Sequence, residues 1–260
     1  MAKPVLPIAL SKTNELLTSK EYKKALNYTS RLLKKEPNSF FNHYLRGLVF
    51  HKMAQFEDAA EWFKSSISLK EDFDDAYNNL GIALKKMGDF EGSEIQLRSA
   101  LKINPKNIGI FQNLGSVLIA QKKYKEAETV LKKAISLDSK SWRAQYKVGE
   151  LYEKMDRLED AFTKYKELIG QKISPLIGLV KCADLYKRID DRVSSLQYYE
   201  KANGLIGENS PLKEHIAKSF IELNEIEKGL KILLRVIPLR NYRKDLVLMA
   251  AELLQKFFRV

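Results

Sequence analysis

Asn79, Asn113, Lys147, Lys181 and His215 fall 34 residues apart, and their side chains could do chemistry as a set. Asn78, Gln112 and Tyr146 run beside them, with Lys85 and Lys86 a short distance on. A carboxamide carries a donor and an acceptor together, so it matches a peptide unit without reading which residue that unit belongs to. The lysines add positive charge in the same register. Such a row suits reversible recognition of polar main chain and acidic groups better than bond-making.

Bond-making chemistry needs paired, pre-oriented groups, and the sequence offers none. His43 and His51 are eight positions apart rather than the four of a helical zinc pair. They read as surface histidines without a role, and no metal or cofactor is expected. The sequence contains no phosphate-binding loop, dinucleotide fingerprint or nucleophile elbow. Cys182 adjoins a row of small residues and reads as a buried packing group rather than a nucleophile. An enzyme is not expected.

The 260 residues carry a net charge of +12 and a single cysteine, which excludes an internal disulfide. The surplus is uneven: +6 over residues 1–70, +1 over 71–140, +1 over 141–210 and +4 over 211–260. Lys228, Lys231, Arg235, Arg240, Arg243 and Lys244 form a basic run without an acidic residue. That run alone gives weak grounds for nucleic-acid binding, since solvated basic faces are common. No stretch approaches the length of an apolar membrane span, and the opening MAKPVLPIALS is too interrupted for a signal segment, so the chain reads as cytoplasmic.

The elements that must position these residues are set by a 34-residue period. Small residues recur at Gly47, Gly81, Gly115, Gly149, Ala183, Ala217 and Ala251. Large apolar residues recur nine further on at Tyr22, Phe56, Phe90, Tyr124, Leu158 and Ile226, with Arg192 the exception. A second small row follows at Ala25, Ala59, Ser93, Ala127, Ala161, Ser195 and Gly229. Within a unit the spacing is helical: Tyr77, Leu80, Gly81 and Leu84 share one face, Gly88-Asp89 makes a turn, and Phe90, Ser93, Leu97 and Ala100 share a second face. Pro37 and Pro105 stop the second helix of their units. Most aromatic residues keep packing phases, as Phe63, Tyr165 and Tyr199 do, which explains them without base stacking. Units therefore begin near residues 6, 40, 74, 108, 142, 176 and 210, and a closing helix begins near 244.

The strings AYNNLGIALKKMGDFEGSEIQLRSALKINPKN (76–107) and IFQNLGSVLIAQKKYKEAETVLKKAISLDS (110–139) resemble tetratricopeptide repeats (TPR). The resemblance implies an all-α, right-handed superhelical solenoid over 1–243, of about seven helix-turn-helix repeats, closed by a capping or docking helix over 244–260. It also implies that the first helix of each pair lines a groove. Asn78, Asn79, Lys86, Gln112, Asn113, Tyr146, Lys147 and Lys181 would then face a partner there. With helices about 10 Å apart and an extended chain advancing about 3.3 Å per residue, one amide per unit would meet roughly every third ligand residue. Some relatives clamp a C-terminal carboxylate with two lysines, two asparagines and an arginine. This sequence has Asn14 at one matching place but Leu10, Leu45, Asp75 and Asn79 at the others, which argues against that ligand.

The leading expectation is a scaffold or adaptor that binds an extended or acidic peptide segment of a protein partner. Two alternatives stand beside it. One is self-association into a homo-oligomer through the closing helix. There a stripe of Leu246, Met249, Leu253 and Phe257 is left over once Val247, Ala250, Ala251, Leu254 and Phe258 keep the repeat phase. The other is the repeat arm of a glycosyl- or sulfotransferase system.

Overall fold

The computed structural model describes residues 5–170, 174–207, 210–236 and 244–258. Among them it contains fifteen helices and no strand. In order they are α1 (Val5–Thr18), α2 (Tyr22–Lys35), α3 (Phe40–Lys52), α4 (Phe56–Leu69), α5 (Asp74–Met87), α6 (Phe90–Ile103), α7 (Ile108–Ala120) and α8 (Tyr124–Leu137). They continue as α9 (Trp142–Lys154), α10 (Leu158–Gly170), α11 (Pro175–Arg188), α12 (Arg192–Leu205), α13 (Pro211–Glu222), α14 (Ile226–Val236) and α15 (Lys244–Phe258). The chain divides into two compact units, Met1–Lys147 and Val148–Val260.

Each hairpin turns on a residue in the left-handed region. Lys20, Ala54, Lys122, Asp156, Asp190 and Asn224 have φ between 57° and 62°, and Gly88 has φ of 86°. These seven positions keep the 34-residue interval, yet only one is glycine. At each, two backbone bonds close the helix end. In α5 the Asp89 N–H donates to the Leu84 carbonyl at 3.0 Å and the Gly88 N–H to the Lys85 carbonyl at 3.2 Å. The same pair of bonds recurs at Glu21 and Lys20, Gln55 and Ala54, Lys123 and Lys122, Arg157 and Asp156, Asp191 and Asp190, and Glu225 and Asn224. This double closure satisfies carbonyls that a helix end otherwise leaves open. It holds a side-chain-bearing residue in a conformation that costs roughly 1–2 kcal/mol for most residue types.

Several helix starts are fixed by short polar side chains. Asp89 accepts from the Gly92 N–H at 2.8 Å, Asp191 from Ser194 at 3.0 Å and Asn107 from Ile110 at 3.3 Å. Each such cap stabilises its helix by about 1 kcal/mol. Pro37 and Pro105 follow Glu36 and Asn104, whose φ values of −137° and −127° are the extended backbone that a following proline imposes.

The small rows mark helix crossings. A Cβ on Gly115 would lie 2.5 Å from a methyl of Leu131, and on Gly81 2.7 Å from Leu97. Gly47 meets Phe63 in the same way. The partner lies sixteen residues on in every case, so the first helix of a hairpin admits the large residue of the second only where it has no side chain. In the second small row, the Ser93 hydroxyl donates to the Gly81 carbonyl at 2.6 Å and Ser195 to the Ala183 carbonyl at 3.0 Å, so these buried hydroxyls are satisfied. In the N-terminal unit α1, α3, α5 and α7 also touch successively, which places the first helices side by side.

The closing helix packs differently from expectation. Leu246 is fully buried, Ala250 nearly so, and Met249, Leu253 and Leu254 pack on the same cluster of α11–α14 side chains. These residues lie at i, i+3, i+4, i+7 and i+8, the broader and bulkier apolar face, and burial takes it. Val247, expected inside, is 40% exposed. Leu246, Met249 and Leu253 are therefore not an available docking stripe, although Phe257 remains 46% exposed.

Candidate functional site

In the N-terminal unit the amide row forms a ladder between neighbouring first helices. Asn79 Nδ2 on α5 donates to the Tyr44 hydroxyl on α3 at 3.1 Å and to the Asp75 carbonyl at 2.9 Å. Asn113 Nδ2 on α7 donates to Asn78 Oδ1 on α5 at 2.8 Å. Both inter-helix bonds join residues 35 apart, one step off the repeat interval. Gln112 Nε2 donates to the Ser141 hydroxyl at 2.9 Å. The amides thus tie helices together as well as line a face. Asn78 Nδ2 and Asn113 Oδ1 keep a donor pair and an acceptor without a partner among the described residues, and both side chains are half-buried.

Lys52 and Lys86 are exposed at the C-terminal ends of α3 and α5, where positive charge complements the helix dipole. His51 sits between them in effect. Burial first, and then the charges of Lys52 and Lys86, hold its pKa below the ordinary histidine value, so it is neutral at pH 7. Tyr44, whose hydroxyl receives Asn79, is buried in an aromatic cluster with Phe41, Phe63 and Phe73. Tyr146 and Lys147 lie at the end of this unit, with the Lys147 ammonium 5.4 Å from the Tyr146 ring centroid.

The corresponding row in the C-terminal unit is charged and internally paired. Lys181 Nζ lies 3.3 Å from Glu153 Oε1 and 5.8 Å from the Tyr165 ring centroid. The Tyr165 hydroxyl donates to the same Glu153 oxygen. His215 Nε2 lies 2.8 Å from Asp184 Oδ1, and the Tyr199 hydroxyl donates to that oxygen at 2.5 Å. Burial opposes ionisation of Asp184, but the hydrogen bonds from His215 and Tyr199 and the charges of His215 and Lys181 outweigh it and hold the pKa below the ordinary carboxylate value. The Lys181 charge, expected to continue the row as a positive site, is met locally by Glu153 of α9.

The three histidines have structural partners, which corrects the reading of His43 and His51 as idle surface groups. His43 Nε2 lies 2.8 Å from the Pro37 carbonyl and its ring packs on Trp62. His51 packs on Phe56 and His215 holds Asp184. Cys182 is fully buried, and burial pushes its thiol up to about 12, which removes it as a nucleophile near neutral pH.

In the basic run, Lys228 pairs with Glu200 at 2.6 Å and Glu225 at 3.5 Å, while Lys231 and Arg235 are exposed on α14. Arg240 and Arg243 lie outside the described residues, as does the side chain of Lys244. No helix among the described residues is long and apolar enough to cross a membrane.

Comparison with known proteins places this architecture. A family model described as "Psidin, N-terminal TPR repeats region" matches residues 10–137, and one described as "Tetratricopeptide repeat" matches 113–175. No curated protein matches the chain. A tetratricopeptide repeat protein from Parabacteroides merdae superposes with a TM-score of 0.71 at 18% identity, covering 95% of this chain and 98% of that one. PilW, a type IV pilus biogenesis factor, gives 0.68 at 18% identity, covering 78% of this chain and 94% of its own. YrrB, a TPR protein with an unusual peptide-binding site, gives 0.51 at 16% identity, covering 68% of this chain and 91% of its own. At these identities the structures share the fold alone. With the two repeat models spanning residues 10–175 and seven hairpins in one sequence register, the chain belongs to the tetratricopeptide repeat family.

Proposed function

We propose that the chain is a protein-interaction adaptor that holds an extended, acidic peptide segment along α3, α5 and α7. The family is typically one of non-enzymatic scaffolds, which agrees with this reading. The observation that carries it is the amide pair Asn78–Asn113, which bridges two helices yet presents an open donor and an open acceptor beside one another. A peptide unit laid across the two helices completes both, and needs no particular side chain to do so. Lys52 and Lys86 stand at one end of the same helices and supply charge for acidic side chains. Because the C-terminal row satisfies its own charges, the proposed ligand contact lies in the N-terminal unit.

The test is photocrosslinking from a probe at Asn113, with bound peptides identified by mass spectrometry. A partner enriched in acidic extended segments is expected, with capture reduced in Lys52→Gln/Lys86→Gln and in Asn78→Ala/Asn113→Ala. Among the described residues neither lysine forms an inter-helix bond, so their loss is expected to leave the fold intact; circular dichroism checks the amide pair. If both folded variants capture the same partner as well as the parent chain, the reading fails.

A further inference from the structure

The surface of α15 that packing leaves open coincides with a place that the preceding first helices fill. Gly47, Gly81, Gly115, Gly149, Ala183 and Ala217 are all buried, and the four glycines meet Phe63, Leu97, Leu131 and Tyr165 of the second helix of their hairpins. Ala251 keeps the same register but is exposed, and Val247 on the same face is 40% exposed. In other respects α15 sits as a first helix does, with Leu246, Met249 and Leu253 packed against the preceding hairpins. Among the described residues no helix covers Val247 and Ala251.

A second, independent feature marks the same place. Ser30, Lys64, Arg98, Lys132, Lys166 and Glu200 share one register of the second helices. Two of them show what that register faces. Arg98 on α6 pairs with Glu126 on α8 at 2.8 Å, and Glu200 on α12 pairs with Lys228 on α14 at 2.6 Å. The register thus reaches the second helix of the next hairpin. In α14 it holds Leu234, which is apolar and 49% exposed. Leu234 from α14 and Ala251 from α15 therefore border one open position, the position of a second helix.

We propose that α14 and α15 together receive an amphipathic helix of a partner protein, docked as second helices dock in the other hairpins. Those hairpins state what such a helix carries. A large apolar residue lies over Ala251, as Leu131 lies over Gly115, with small residues four before and three after it, as Ala127 and Ala134 are. Five positions before the large residue, where Glu126 and Lys228 stand, it carries an apolar side chain that covers Leu234. None of the chain's own second helices meets this requirement, since each has lysine, aspartate, glycine, glutamate or serine at that position. The occupant is therefore another protein rather than a second copy docking through its repeats.

The test is fluorescence anisotropy of the full chain with two labelled peptides. One has the sequence of α8, Tyr124–Leu137, and the other the same sequence with Glu126→Leu. Both are lactam-bridged on the outward face, because isolated helices of this length are marginal. The Glu126→Leu peptide is expected to bind about tenfold or more tightly than the unsubstituted one. Leu234→Lys, which restores the residue type of Lys64, Lys132 and Lys166, is expected to reverse that preference, because lysine pairs with glutamate and opposes leucine. Ala251→Glu is expected to abolish binding of both, and Ile95→Asp, at a position 61% exposed on α6, to change neither. All three positions are exposed, so circular dichroism should show each variant folded. Absence of binding, equal affinity of the parent chain for the two peptides, or equal loss in Ile95→Asp and Ala251→Glu overturns the proposal. So does a dimer of the unliganded chain in light scattering that Ala251→Glu dissolves, which would give this face to a second copy. None of the variants lies on α3, α5 or α7, so the peptide face stands or falls separately.

Discussion

At single positions, the left-handed row shows how little a turn residue's type needs to match its conformation when backbone bonds enforce it. Asp156, Asp190 and Asn224 are types that tolerate φ near 60°, whereas Ala54, Lys20 and Lys122 are not. Ala54→Gly is expected to stabilise the chain by about 0.5 kcal/mol, the relief of left-handed strain less the greater entropy of glycine in the unfolded chain. Gly88→Ala is expected to destabilise by about 1 kcal/mol through backbone conformation alone, because an added Cβ there meets nothing within 4 Å. Urea unfolding of the two variants checks both signs. Only Gly88-Asp89 announces its turn in the sequence. The other six are hidden because the closure is made by N–H and carbonyl groups that every residue carries.

Between elements, the Asp184 cluster joins α11, α12 and α13 through one carboxylate oxygen. A folded pKa held below the unfolded value means that ionised Asp184 stabilises the fold above the unfolded pKa, about 3.9. That contribution fades as pH falls through this value toward the lower folded pKa. Asp184→Asn is therefore expected to lower stability by about 1–3 kcal/mol at neutral pH, and to flatten the loss of stability between pH 5 and 3. Thermal melts of both chains across that range decide it; parallel curves would show that Asp184 titrates alike folded and unfolded. The helices themselves were legible because close crossings demand small residues such as Gly81 and Gly115 at a constant interval. The contacts between first helices were not. Asn79–Tyr44 and Asn113–Asn78 join residues 35 apart, and His215–Asp184 spans 31, so no single period reveals which polar side chains meet.

At the scale of the whole molecule, each of the two compact units is built as a series of neighbour interfaces rather than around one shared core. The buried side chains fall into successive clusters, and the long-range helix contacts run between adjacent or next-adjacent helices. In such an array a defect raises the local opening of its own hairpin most, and its effect decays over neighbouring units. Gly115→Leu is the sharpest defect to place, since even a Cβ at that point collides with Leu131, itself fully buried. Overpacking there is expected to cost about 1–3 kcal/mol or more. Hydrogen exchange read helix by helix should show the greatest loss of protection in α7 and α8, a smaller loss in α5 and α6, and little change in α11–α14. A fold built as one cooperative core would instead lower protection everywhere by the same amount. That uniform result would refute the nearest-neighbour account. The graded result would also show that the helices α3, α5 and α7 of the proposed peptide face can be loosened while α11–α14 stay formed.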